Sequence, residues 1–348
     1  MTATMIAGCG SDKGSAPTSG DAQNVQEQAA EGESAAGTAG SSEDAAGEAS
    51  GGEVTIKLFS NLPDRKNGQG LVEQTIIDEY MAANPNVSIE VEALDEEAYK
   101  TKFKAYAMDG GDGWPMACFL TDILVQIAGV DYADIVSNAI ATGDFTAPEI
   151  QQATQLLVKS ADAGMFQVGY DSQDYGTAMN LFTNGQAAMF CMGSWETSMA
   201  LNEDIAPEIR DNIRAFTLPT VAGGKGGKND IAAWNGGGYA VSANSQVKDE
   251  AIKFLNYMYQ PDKLSKYGWE NGVGLSAQDQ TAYLTGNETE LQKQVMDILK
   301  NATSISGTPI NDCGPSAFKT SIESEIQGVS NGSTSVEDFL AAIGAACK

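Results

Sequence analysis

The chain has no histidine at all. That removes Ser-His-Asp and Cys-His catalysis, His-based zinc sites and imidazole pH switching together. Basic residues are scarce as well: 20 Lys and Arg stand against 47 Asp and Glu, a formal net charge of −27. Such a chain repels nucleic acid and anionic lipid surfaces, so no nucleic-acid partner is expected. None of the five cysteines, Cys9, Cys118, Cys191, Cys313 and Cys347, forms a C-x-x-C pair, which argues against a zinc ribbon or a thioredoxin-like centre. No apolar run approaches the roughly 20 residues of a membrane-crossing helix. No metal and no cofactor is expected from what remains.

What is there begins with length: 348 residues suffice for two domains with substantial cores. Cys118 and Cys191 lie in apolar segments and read as small buried hydrophobes. Cys313 and Cys347 could pair in an oxidising compartment if their spacing allows. Cys9 differs. It stands in Ile6-Ala7-Gly8-Cys9-Gly10-Ser11, which resembles a bacterial lipobox, where the Cys becomes a lipidated N-terminus. Residues 10–53 are almost entirely Gly, Ser, Ala, Thr, Asp, Glu and Gln, too polar to bury a core, and read as a disordered acidic tether. Residues 1–9 then read as the remnant of a lipoprotein signal peptide, with the numbered start inside a longer leader.

Order begins at residue 54. Val54, Ile56 and Leu58 alternate as in a strand, residues 71–83 place Val72, Ile76, Ile77 and Tyr80 on one helical face, and Val87, Ile89 and Val91 alternate again. Strand, helix, strand predicts a βαβ unit with a right-handed crossover. The loop Asn61-Leu62-Pro63-Asp64-Arg65 then falls at the carboxyl edge of the sheet, where open α/β sheets bind ligands. Further helices are expected at about 96–107, 116–127, 146–163 (started by a capping box at Thr146), 174–183, 249–259, 317–327 and 336–346, the last capped by Ser335. Phe216–Pro219 and Tyr239–Ser242 read as strands, and the Gly/Lys loop 222–229 as a mobile surface hairpin.

The segment Phe182–Glu196 carries most of the functional signal. A helix closes at Asn184-Gly185, since Gly accepts the left-handed turn. Ala187–Met192 reads as a buried strand, and Ser194 as the N-cap of another helix. Trp195 therefore sits at a strand exit as a flat apolar platform with one polar N–H, suited to a sugar ring. The alternative is a Trp that plugs the core. Trp114 and Trp234 border Gly-rich loops in the same way, so the three suggest one aromatic-lined cleft, whereas Trp269 reads as structural. Gly223–Asn229 fails the phosphate-loop pattern, because Ala222 replaces its first Gly and Asn229 its Ser or Thr. Asp109, Asp112, Asp171 and Asp174 do not have EF-hand spacing. Asp112, Glu196 and Glu270 each neighbour a Trp, which leaves open a glycan-active enzyme with two carboxylates; carboxylates beside aromatic platforms also simply hydrogen-bond sugar hydroxyls.

These segments together resemble the extracellular solute-binding proteins of ABC sugar importers (family 1, maltose-binding-protein-like). The resemblance runs from about Val54 to Ala346. It rests on Phe182–Met189 with Gly193-Ser194-Trp195-Glu196, and on Gly236–Asn244 followed by Lys248–Leu255. The start Leu58–Arg65, with the lipobox and tether, is similar to Gram-positive lipoprotein members. The resemblance implies an α/β, two-lobe periplasmic-binding-protein-like fold of type II that closes around a sugar and docks on permease subunits. The implied layout is an N-terminal lobe over 54–107, a C-terminal lobe over 108–242, a return to the first lobe over 243–310, and C-terminal helices over 311–348 packed on the second lobe. Implied ligand contacts are Trp195, Trp114, Asp112, Trp234, Asn235, Asn61 and Asp64, with Glu196 beside the platform. A lipid-anchored, extracellular, non-enzymatic monomer is the expectation. Relatives carry a further stretch between the positions of Ala107 and Met108, so that junction reads as an internal deletion that leaves the N-terminal lobe incomplete and exposes apolar edges, with a non-functional internally deleted copy as the alternative to a working binding protein.

Overall fold

The computed structural model describes residues 3–6, 53–94, 113–233, 238–274 and 279–348, the first of these through its backbone. Strand β1 is Ala3–Ile6. Alternating Val54, Ile56 and Leu58 build strand β2 (Val54–Ser60), with Ile56 and Leu58 turned into the core. Helix α1 (Gly68–Ala83) buries Val72, Ile76, Ile77 and Tyr80 against it. Strand β3 (Val87–Ala93) then pairs in parallel with β2, from Val54 opposite Val87 to Ser60 opposite Ala93. This is the βαβ unit that the residue pattern predicts.

Helix α2 (Gly113–Ala128) is apolar on nearly every face and is followed by α3 (Tyr132–Thr142) and α4 (Pro148–Asp162). Helix α5 spans Tyr175–Thr183, with the Asp174 side chain accepting from Thr177 N as its cap. Short strands β4 (Asp230–Ile231) and β5 (Gly238–Val241) precede α6 (Lys248–Met258), α7 (Leu264–Glu270) and α8 (Glu290–Lys300). Strand β6 (Ser304–Ile305) and helices α9 (Ser316–Ser330) and α10 (Val336–Ala345) complete the order. Among the described residues the strands form three parallel two-stranded ladders, β1 with β5, β2 with β3, and β4 with β6.

Two large apolar cores define two lobes. One unites β2, α1 and β3 with Ala251, Phe254 and Met258 of α6. The other unites α2, α3 and α4 with Phe318, Ile322, Ile326 and Val329 of α9 and Phe339 and Ile343 of α10. The chain therefore crosses between lobes repeatedly, and neither core is sequence-contiguous. A smaller cluster of Met199, Ile205, Ile213 and Leu291, with Phe182 and Phe190 packed on it, lies beside the cleft.

Several local expectations resolve differently. Ala187–Met192 and Phe216–Pro219 run without sheet pairing, and Met189 and Phe216 are 59% and 67% exposed. A strand forms only where a neighbour takes its N–H and C=O groups, and among the described residues none lies beside these segments. Ser194 opens a 3₁₀ helix, Ser194–Leu201, with no capping bond; its hydroxyl donates to Gly274 O at 2.8 Å. Thr146 does not cap α4 but bonds Asp144, and Pro148 starts that helix. The loop 222–229 is pinned rather than mobile: Lys225 N and Gly226 N donate to Ile127 O and Gln126 O at 3.0 Å each. Cys313 and Cys347 are free thiols. The helical stretch Gly113–Thr142 has the length and hydropathy of a membrane span, yet most of its apolar window is buried in the second core. The helix expected at 96–107 and the junction Ala107-Met108 lie outside the described residues.

Candidate functional site

A cavity of about 1400 Å³ opens between the lobes. Val72 and Ile76 of α1 face it from the first lobe, and Phe119, Asp122 and Val125 of α2 from the second. The unpaired segment 187–196 forms its third wall. That explains why Cys191 is accessible although its thiol is enclosed: it borders the cavity, and burial raises its pKa. Cys118 is half-buried, its thiol pushed up to about 12 by burial.

Trp195 is held by local sequence. Its ring folds back over Gly193, where an added Cβ would lie 2.1 Å from a ring carbon. Helix α5, which leads into this segment, closes at Gly185, at φ 71° in the left-handed region. From Trp195 a chain of ring contacts runs to Trp114 (ring centroids 6.2 Å apart), then to Tyr175 (6.0 Å), Phe190 (6.2 Å) and Phe182 (5.8 Å); Trp195, Phe190 and Phe182 line the cavity, Trp114 borders a side recess, and Tyr175 backs them. These are tilted and stacked contacts within the usual range for attractive ring pairs.

Two carboxyls lie in this wall. Glu196 accepts from the Tyr175 hydroxyl, and burial raises its pKa to about 7 against the lowering effect of Tyr175 and Trp195. Asp122 is raised to about 7 by burial alone. Glu73, also on the cavity wall, is satisfied by Arg65 and by the Tyr239 hydroxyl at 2.7 Å. No group of Cys, Asp or Glu among the described residues is arranged to hold a metal ion.

Of the residues expected from sequence, Trp195, Trp114 and Glu196 come together at this wall. Asp112, Trp234 and Asn235 lie outside the described residues. Asn61 follows β2 with its Oδ1 buried and without a hydrogen bond, while its neighbour Leu62 reaches the cavity. Asp64 is exposed and accepts from Lys66 N and Asn67 N at 2.9 and 3.1 Å, so its carboxylate shapes the turn and stands off the cavity wall. Trp269 is 3% exposed and donates to Glu288, whose carboxyl is held near 2 by the Thr285 and Glu288 backbone N–H groups. Sequence reasoning missed Tyr175, Phe190 and Asp122. For Asp122 a signal existed: it is the one charged residue in Gly113–Ala128.

Residues 99–263 match the family described as bacterial extracellular solute-binding protein. A binding protein from Brucella abortus (strain 2308) is 26% identical over 153 residues, 44% of this chain and 35% of that relative. The match thus spans about a third of the relative's length. A solved chitin oligosaccharide binding protein shares the fold, with a TM-score of 0.67 at 15% identity over 85% of this chain and 98% of that one. A structure from work on xylan utilisation by Caldanaerobius polysaccharolyticus also gives 0.67, at 19% identity over 84% of this chain and 99% of that one. A sugar transporter from Bacillus licheniformis in complex with stachyose gives 0.54, at 13% identity over 84% and 98%. Over residues 99–263 this chain is thus similar in sequence to the bacterial extracellular solute-binding proteins, and its two-lobe fold is that of the solved sugar-binding structures.

Proposed function

We propose that this chain binds an oligosaccharide in the cavity between its lobes and delivers it to the permease of an ABC importer. The observation that carries this reading is the chain of five rings from Trp195 to Phe182, three of which (Trp195, Phe190 and Phe182) line the cavity beside the Glu196 carboxyl. Flat apolar faces beside enclosed hydrogen-bonding groups match the two surfaces of a sugar ring, its C–H face and its hydroxyl rim. The solved relatives that bind a chitin oligosaccharide or stachyose support the ligand class. Trp195, Trp114 and Glu196 are its contacts in this proposal. Asp112, Trp234, Asn235 and Asn61 are assigned to the same ligand by the family resemblance, whereas Asp64 serves the loop that carries Asn61.

Closure of the lobes is the step that delivery requires, because the ligand stabilises the closed form by its greater affinity for it. Titration of the full chain with a panel of oligosaccharides, followed by tryptophan emission, tests the reading. Saturable change with at least one sugar is expected; silence across the panel sinks it. The reading is of a binding protein rather than an enzyme. Reducing-sugar release by the wild type that vanishes in Glu196→Gln would favour a cell-surface glycan-active enzyme instead, and none is expected. Delivery also calls for a tether at the outer face of the cytoplasmic membrane, assigned to a lipid on Cys9. Cys9→Ala, exported behind a bacterial lipoprotein signal peptide, is expected to move the protein from the membrane fraction to the medium.

A further inference from the structure

Asp122 stands apart from every other carboxyl on the cavity wall. Glu73 is paired with Arg65, Glu196 with Tyr175, and Asp230 accepts from Gly227 N and Thr303 Oγ1. Asp122 has neither a hydrogen bond nor an ion pair among the described residues, and burial is the sole cause that moves its pKa. The one cation on the described lining, Arg214, spends its guanidinium on the carbonyls of Asp211 and Ile213. An enclosed carboxyl without a partner is costly, and a protein that keeps one gives up stability for it.

Its place in the fold suggests the use. Asp122 borders both the large cavity and a side recess of about 70 Å³ beneath Trp195, and it is the only α2 residue that borders both. Trp114 lines that recess, and its Nε1–H is a second orphan: a buried donor with no acceptor. The recess is thus bordered by one residue with an unmet acceptor and one with an unmet, buried donor. An ammonium could satisfy Asp122 only, and a carboxylate could satisfy Trp114 only. A hydroxyl both accepts and donates, and so can answer the two together. The volume is well above the roughly 10–15 Å³ that a single water needs on this measure, so a hydroxymethyl group fits.

We propose that Trp114 and Asp122 form a hydroxyl-binding subsite at the neck of the cavity, which takes the exocyclic hydroxymethyl group of a hexose and selects hexose over pentose oligosaccharides. This rests on the oligosaccharide reading above and deepens it. Trp195 and Glu196 then hold the ring, while the recess reads its substituent.

Two measurements on the full chain test it. The first needs no ligand: at pH 8, Asp122→Asn is expected to raise the melting temperature by several degrees, because it removes an unpaired charge. A lowered melting temperature would show that the carboxylate supports the fold, and would overturn the subsite. The second is calorimetric titration with cellotetraose, maltotetraose and mannotetraose against xylotetraose. The wild type is expected to bind at least one hexose tetramer tenfold or more tightly than the xylose tetramer. Asp122→Asn, and Trp114→Phe, which keeps a ring but loses the N–H, are expected to weaken hexose binding about tenfold and close that gap. Equal affinity for hexose and pentose in the wild type, or a gap that persists in both variants, overturns the subsite and leaves oligosaccharide binding standing. If no sugar binds, the oligosaccharide reading falls and takes the subsite with it.

Discussion

Trp195 and Trp269 have the same side chain and opposite surroundings. Trp269 is enclosed, and its N–H is taken by Glu288. Trp195 lies over a glycine at the cavity rim. Trp269→Ala should therefore cost about 3–5 kcal/mol in chemical denaturation, as other buried aromatic deletions do. Trp195→Ala should leave the denaturation midpoint nearly unchanged and weaken oligosaccharide binding about tenfold, as loss of a stacking face does. A Trp195→Ala variant that melts as low as Trp269→Ala would return Trp195 to the core. Glu196 makes a separate prediction at this scale. Its folded pKa of about 7 lies above its unfolded value, so its contribution to stability is complete below the unfolded pKa and is lost as pH rises through about 7. Glu196→Gln should flatten that part of the stability profile, measured as the urea midpoint against pH.

At the scale of elements, close approach of backbones decides what the helices tolerate. Gly113 opens α2 against α9, and a Cβ there would lie 1.8 Å from Glu323 O. Gly113→Ala should destabilise the second lobe by about 1–3 kcal/mol through overpacking, read as a lower midpoint in chemical denaturation. Gly226 meets the end of α2 similarly, with an added Cβ 2.7 Å from Gln126 Cα. This contact turns a Gly/Lys loop, which reads from composition as mobile, into a fixed brace on the helix that carries Asp122. Gly226→Val should free the loop, with faster amide exchange at Lys225 and Gly226, whose N–H groups now bond the end of α2.

The whole molecule shows two opposing sets of carboxyls. Glu288 and Glu79 are held low by hydrogen bonds from their neighbours, and lose that stabilisation as pH falls through their folded values. Asp122 and Glu196 are raised by burial and act with the opposite sign, costing stability as pH rises through about 7. Global stability is therefore expected to peak on the acid side of neutrality, near pH 5, and to fall toward both pH 2 and pH 8. The net charge of −27 adds self-repulsion that salt screens, so raising ionic strength should lift the melting temperature more at pH 8 than at pH 5. A maximum above pH 7 would contradict the placement of both raised carboxyls.

The βαβ unit, the helix faces and the Gly185 turn were legible in the residues, because each depends on periodicity or backbone freedom over a few positions. The expected strand exit and Ser194 cap behind Trp195 did not form, yet the ring still lies over Gly193 on the cavity lining. The unpaired state of Ala187–Met192 was not legible, since an apolar run becomes a strand only if a partner from elsewhere in the chain lies alongside. Nor was the role of Tyr175 or Asp122. Tyr175 joins the wall through Trp114, far away in sequence, and Asp122 has meaning only because the fold leaves it at a cavity neck without a partner. By itself the sequence determined the absence of imidazole chemistry, the βαβ unit and most helix positions, all set by composition and short-range order. The tertiary structure alone decided which rings form one wall and which polar groups go unmet. Contact and desolvation arise between residues distant in the chain, and only the folded arrangement brings them together.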